Sequence, residues 1–183
     1  MSAVVTTMEE KVRTARALCE QGRWRDVLAF AQKWRMENPA DYKALYYVGL
    51  GFSGTNQFAD AEAAYRLALT METSDFKVWN NLAGLLYENM RREAEGIHCI
   101  EEALKIDPRN KVGWSNLATM VGRMGRHDQA MDYADRALAL DPKFVEAHLH
   151  KGNAARALGK KEIVREVCTA LAALEPERFC RAR

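Results

Sequence analysis

Histidine and cysteine are the side chains best suited to hold a metal ion or act as nucleophiles, and this chain of 183 residues has four of each. Their spacing assigns them no such work. His148 and His150 are two apart, which sets them on different sides of a helix, and the adjacent His98 and Cys99 diverge in the same way. Cys19, Cys99, Cys168 and Cys180 are scattered, with no CxxC pair and no zinc-ligand spacing. The expectation for them is three buried or half-buried thiols and one on the tail, in a reducing compartment, most simply the cytoplasm. The sequence holds no glycine-rich phosphate loop, no GxSxG and no HExxH. It therefore predicts no enzyme, no metal site and no cofactor.

The chemistry that recurs is that of a side-chain amide. The stretch WNNLA at 79–83 returns as WSNLA at 114–118, keeping the Trp, the second Asn, the Leu and the Ala. Packing accounts for the Trp, Leu and Ala, but it does not require Asn81 and Asn116. A side-chain amide carries both a donor and an acceptor, so it can pair with the N–H and C=O of an extended chain of any sequence. The competing use is a hydrogen bond within or between neighbouring helices, where buried polar groups find their partners.

The elements that position these amides come from a repeat. Pro108, Pro142 and Pro176 are 34 apart, and Thr73 stands where a proline is expected between Pro39 and Pro108. Two further columns keep step, Val27, Ala61, Gly96, Ala130 and Val164, then Trp34, Ala68, Ala103, Ala137 and Leu171. The two columns are seven residues apart, two helical turns, so each pair shares a helix face, and their mostly small side chains let another helix approach closely. Inside each unit lies a breaker, at Gly22, Asn56, Asn89, Gly125 and Gly159, of a type that tolerates the left-handed conformation ending a helix. Each unit is thus predicted to be two helices joined by a tight turn. The third carries one extra residue, placed near 90–95, where the turn should be irregular.

The spacing of Trp114, Leu117, Ala118, Gly125, Ala130, Ala137, Asp141 and Pro142 resembles the tetratricopeptide repeat. The resemblance implies an all-α fold, a right-handed superhelical solenoid of about five antiparallel hairpins at 8–41, 42–75, 76–110, 111–144 and 145–178, with a short basic tail at 179–183. The first and fifth units depart from the pattern, with Lys11 and His148 in the Trp slot, as terminal units of a finite array do. In this family the first helices line a concave surface that holds a peptide or a partner's surface. In register, the residues expected there are Arg16 from the first unit, Lys43, Tyr46 and Tyr47 from the second, and Lys77, Asn80, Asn81 and Tyr87 from the third. The fourth supplies Ser115, Asn116, Thr119 and Arg123, and the fifth His150, Asn153 and Arg156. Because Tyr46 and Tyr47 are adjacent, at most one is expected to pack deeply. The Asn column looks like the asparagine ladder of the O-linked N-acetylglucosamine transferase repeats, with two rungs matching. The carboxylate clamp of relatives that bind chaperone tails is absent, since Val12, Arg16 and Tyr47 stand at three of its positions.

Composition narrows the partner. With 27 basic and 25 acidic side chains, no global field favours nucleic acid. No run approaches the roughly 20 apolar residues of a membrane helix, and residues 1–14 do not read as a signal peptide. The basic residues of the expected groove fit an acidic partner. Ile163, Val164, Val167, Cys168 and Leu171 fall at helical spacing in a last helix over 161–174 with no capping helix expected after it, which suggests a homo-oligomer contact. The predicted function is a non-catalytic adaptor, scaffold or chaperone that binds a protein or extended peptide. The alternatives are a substrate-recruiting subunit of a separate enzyme, such as a glycosyltransferase, and a secretion-type chaperone.

Overall fold

A computed structural model describes residues 7–179. The expectations for Cys180 and for the tail beyond Phe179 fall outside these residues. The chain divides into two compact units, residues 1–99 and 100–183. The first contains α1 (Met8–Glu20), α2 (Trp24–Glu37), α3 (Tyr42–Gly54), α4 (Phe58–Met71), α5 (Phe76–Gly84) and a π-helical turn (Leu85–Asn89). Helix α6 (Glu93–Ile106) begins in the first unit and ends in the second. The second continues with α7 (Lys111–Arg123), α8 (His127–Leu140), α9 (Val145–Ala157), α10 (Lys161–Leu174) and a one-turn α11 (Pro176–Phe179). No strand occurs among the described residues.

The period has a simple local origin. A 13-residue helix, a three-residue turn, a 14-residue helix and a four-residue connection make 34 residues, as from α1 to the start of α3. The turn in every hairpin contains one residue in the left-handed region: Gly22 (φ 67°), Asn56 (62°), Arg91 (54°), Gly125 (78°) and Gly159 (71°). The connection ends on a side chain that caps the next helix. Thr7, Asp41, Asp75 and Asn110 each accept a hydrogen bond from a backbone N–H of the first turn, and at the fifth position Phe144 does not.

The Trp slot is held by a hydrogen bond as well as by packing. The indole Nε1 of Trp79 donates to the Thr73 carbonyl and that of Trp114 to the Pro108 carbonyl, both at 2.9 Å and six residues back. His148 occupies the same slot, and its Nε2 makes the same 2.9 Å contact with the Pro142 carbonyl. Because a carbonyl only accepts, Nε2 carries the proton. The fifth hairpin's departure in sequence thus preserves the bond.

In the first unit the large aromatic has moved to the second helix. Trp34 is buried in the column otherwise held by alanine or leucine and stacks on Tyr47, with centroids 5.8 Å apart. Lys11, in the Trp slot, is only 8% exposed. Its ammonium donates to Glu37 Oε2 at 2.7 Å and Asn38 Oδ1 at 2.8 Å and lies 5.9 Å from the Trp34 ring. A buried cation is tolerated because it is paired and hydrogen-bonded. In the second unit Leu104, Leu117, Val121, Ala130, Ala134, Ala137, Ala147 and Ala154 form the buried interior.

Two expectations need correction. The extra residue of the third hairpin is not in the turn at 90–95. From Trp79 to the left-handed Arg91 is one residue more than from Trp114 to Gly125, so the insertion lies in the first helix, where the π-turn absorbs it. Asn89 belongs to that turn, and Arg91 is the breaker. The thiols also differ from expectation: Cys99 is buried and Cys19 half-buried, but Cys168 is exposed, being on the outer face of α10.

Candidate functional site

In the first unit, α1, α3 and the start of α5 line an open cavity of about 570 Å³. Its lining includes Arg16, Lys43, Tyr46, Tyr47 and Lys77 of the expected surface, with Val12, Cys19, Leu50 and Asp75. The tyrosines form its firm part. Tyr47 is 7% exposed, with its ring against Trp34, while Tyr46 is half-buried, its centroid 5.1 Å from that of Tyr47. One of the adjacent pair packs deeply and the other stays nearer the surface. Burial raises the Tyr46 phenol well above its ordinary pKa, so it is neutral and its O–H can donate. Burial also raises Tyr47, with the Arg16 guanidinium opposing the shift.

The charge of this cavity is unbalanced. Arg16, Lys43 and Lys77 face one carboxylate, Asp75, whose oxygens are already used. Oδ1 caps the Lys77 backbone N–H at 2.9 Å, and Oδ2 accepts from the Tyr42 hydroxyl at 3.1 Å. Burial, and then the Asp75 charge, pushes the Tyr42 phenol up to about 12. Arg16 and Lys43 form no ion pair among the described residues.

Asn81 lies beside this site and is partly committed. Its Nδ2 donates to the Lys77 carbonyl at 2.8 Å and to the Tyr46 hydroxyl at 3.2 Å. That uses both amide protons and leaves Oδ1 as the group able to accept from a guest backbone N–H. The arrangement narrows the expected two-way pairing to an acceptor role.

In the second unit a smaller cavity, about 310 Å³, opens among α7, α8 and α9. Ala118, Ala130 and Ala154 contribute small side chains beside the bare backbone of Gly122, and Thr119, Arg123, His127, His150 and Asn153 the polar ones. Thr119 Oγ1 donates to the Ser115 carbonyl at 3.0 Å and lies 3.0 Å from His150 Nε2 and 3.4 Å from Nδ1. Burial lowers the His150 pKa, with Glu146 opposing and Arg123 adding to the fall, so the ring is neutral at pH 7.

Tyr87 and Ser115, expected on the binding surface, are instead buried, 6% and 3% exposed. Tyr87 sits in the π-turn, whose extra residue changes the helical phase, and it packs beside Gly96 of α6, where an added Cβ would come within 2.9 Å of the Tyr87 Cβ. Ser115 falls on the inward side of α7 with Leu117 and Ala118. Asn80 and Asn116 are half-buried, while Arg156 is exposed and lines neither cavity. Asp75 and His127 were missed. Asp75 was legible as a helix cap, but its place in the cavity depends on α1 and α3. His127 opens α8, a second helix, and only tertiary packing brings it beside α7 and α9.

A tetratricopeptide repeat profile matches residues 76–110 and 113–144. The chain is similar to the small glutamine-rich tetratricopeptide repeat-containing protein 2 of Mycosarcoma maydis, 34% identical over 64 residues, which are 35% of this chain and 18% of that protein. It is likewise similar to the peroxisomal targeting signal receptor of Saccharomyces cerevisiae, 32% identical over 82 residues, 45% of this chain and 13% of the receptor. The chain thus spans less than a fifth of the length of these relatives. In fold it is similar to PilF of Pseudomonas aeruginosa, with a TM-score of 0.83 at 20% identity over 91% of this chain and 75% of that one. It also resembles MamA of Desulfovibrio magneticus RS-1, with a TM-score of 0.78 at 15% identity over 92% and 95% of the two chains.

Proposed function

Because the chain is a tetratricopeptide repeat protein, we propose that it works as a non-catalytic interaction module, an adaptor, scaffold or chaperone of the cytoplasm. Its guest is an extended, acidic segment of a partner protein, anchored in the cavity of α1, α3 and α5. One observation carries this reading: Arg16, Lys43 and Lys77 converge on that cavity, while the single carboxylate among them already serves a helix cap and a tyrosine. Charge of one sign on a cavity wall attracts its complement and fixes register. The phenols add contact area with few rotors to freeze, which suits a binding surface. A relative named for reading a targeting signal supports a peptide as guest.

The test is direct titration of fluorescent, extended 12-residue peptides, one rich in Glu, its Gln counterpart and its Lys counterpart. The acidic peptide is expected to bind, and to bind less tightly as salt rises. The double variant Arg16→Glu, Lys43→Glu should weaken it by at least about tenfold, the scale of two lost charge-assisted contacts. Equal affinity for the acidic and basic peptides would refute the reading.

A further inference from the structure

A third cavity, about 320 Å³, opens in the second unit among α6, α7 and α8. It is separate from the one between α7 and α9, because Thr119 and Arg123, five and nine residues beyond Trp114, fall on the far side of α7. Buried Leu104 and Leu117 give it an apolar lining. Trp114 and Tyr133, both half-buried, add two rings, stacked with centroids 5.8 Å apart and planes at 26°. The exposed Arg136 lies over them, its guanidinium carbon 4.7 Å from the Trp114 centroid and 5.9 Å from that of Tyr133. Stacking of the hairpins does not require this set. Trp79 fills the same slot in the third hairpin, where Cys99 and Glu102 stand 34 residues before Tyr133 and Arg136.

Charge decides what this cavity admits. Lys105, the other cation of the lining, donates to Glu102 Oε1 at 2.5 Å and also feels the charge of Glu101, the one carboxylate that lines the cavity. Arg136 forms no ion pair among the described residues. One uncompensated cation therefore stands beside two rings. It repels a guest cation from the ring face it occupies and attracts a guest carboxylate. Trp, Tyr and Arg are also the side chains that anchor interfaces. Here they are stacked in advance, with the Trp114 indole held by the Pro108 carbonyl, so binding orders little that was free. We propose that the cavity docks a segment of a partner protein in which an aromatic side chain stands next to a carboxylate. The ring enters against Leu104, Leu117 and the aromatic pair, and the carboxylate pairs with Arg136. This docking point rests on the reading of the chain as an interaction module, but not on the acidic guest of the first unit.

The experiment follows the Trp114 indole N–H by NMR in the whole protein as four probes are added: acetyl-Glu-Phe-Gly-amide, acetyl-Gln-Phe-Gly-amide, acetyl-Lys-Phe-Gly-amide and the ring-free acetyl-Glu-Ala-Gly-amide. The Glu-Phe probe is expected to give a saturable shift and to bind about tenfold more tightly than the Gln-Phe probe, the scale of one charge-assisted contact. Arg136→Gln, a change at an exposed position, should erase that difference and leave the Gln-Phe affinity as it was. The double variant Arg16→Glu, Lys43→Glu should leave every one of these shifts unchanged, which separates this site from the cavity of the first unit. No saturable shift at millimolar Glu-Phe probe, equal binding of the Lys-Phe or the ring-free probe, or a preference for Glu that survives in Arg136→Gln would overturn the proposal. A shift that grows with protein concentration alone would overturn it too, by giving the cavity to a second copy of the chain.

Discussion

At the scale of the residue, two side chains show how position decides use. Asn81 spends both amide protons inside the protein, on Lys77 and Tyr46, and keeps Oδ1 available. Asn81→Ala should therefore cost about 1 kcal/mol in stability, the net worth of a typical hydrogen bond, and should also weaken the acidic peptide several-fold. Loss of stability in urea titrations with unchanged peptide affinity would assign the amide to helix packing alone. His148 replaces a tryptophan and keeps its bond to the loop carbonyl, but its Nδ1 is buried without a partner. His148→Trp should stabilise the fold by about 1 kcal/mol, because it removes the orphaned nitrogen and buries more apolar surface. His148→Phe loses the bond and should destabilise by about the same amount, both read as shifts in the urea midpoint.

At the scale of the element, the turns and close helix contacts set the limits. Arg91 is the one arginine in the left-handed column, where glycine or asparagine stands in the other hairpins. Holding a non-glycine residue there costs roughly 1 kcal/mol, and Arg91 is exposed. Arg91→Gly should raise the melting temperature by the equivalent of a few tenths to about 1 kcal/mol, reduced by the greater freedom of glycine in the unfolded chain. Gly51 presents the opposite case. A Cβ there would stand 2.8 Å from the backbone of Leu28, so α3 approaches α2 only because the side chain is missing. Gly51→Ala should destabilise by about 1–3 kcal/mol, and a melt unchanged from wild type would show that the two helices slide apart at no cost.

At the scale of the whole molecule, pH acts through paired groups. Glu37, Glu95 and Asp141 are held below the ordinary carboxylate range by hydrogen bonds from Lys11, Arg92 and Lys111 respectively. Burial alone would raise Glu62, but bonds from Arg66 and Arg92 outweigh it. A lowered folded pKa means the unfolded chain takes the proton first as acid is added. That stability is complete above about pH 4.5 and is lost as the pH falls through and below that value. His150 is also lowered, so the unfolded chain protonates it first below the ordinary imidazole value of 6.5. Urea midpoints should be flat from pH 8 to 7, decline slightly from 6.5 toward 5.5, and fall further below 4.5. The upper step should vanish in His150→Gln. The lower step should shrink in 1 M NaCl, which screens the exposed pairs.

The sequence by itself determined whatever depends on neighbours along the chain. The 34-residue period, the glycine and asparagine turns, the hairpin order and the bounds of α10 at 161–174 follow from helical spacing and backbone preference, which are local. It also set Arg16, Lys43, Tyr46, Tyr47 and Lys77, with ten others, on one expected surface, because residues in step on equivalent helices face the same way, and the structure gathers these five around one cavity. Only the tertiary structure decided where the extra residue goes. A helix can take an insertion as a π-turn without changing its composition, and that shift of phase buries Tyr87. Tertiary structure alone also placed Asp75 in one cavity and His127 in the other, and set Lys11 against Trp34. In each case the deciding contact comes from another helix, and the spacing of residues along one helix does not record how deeply another covers them.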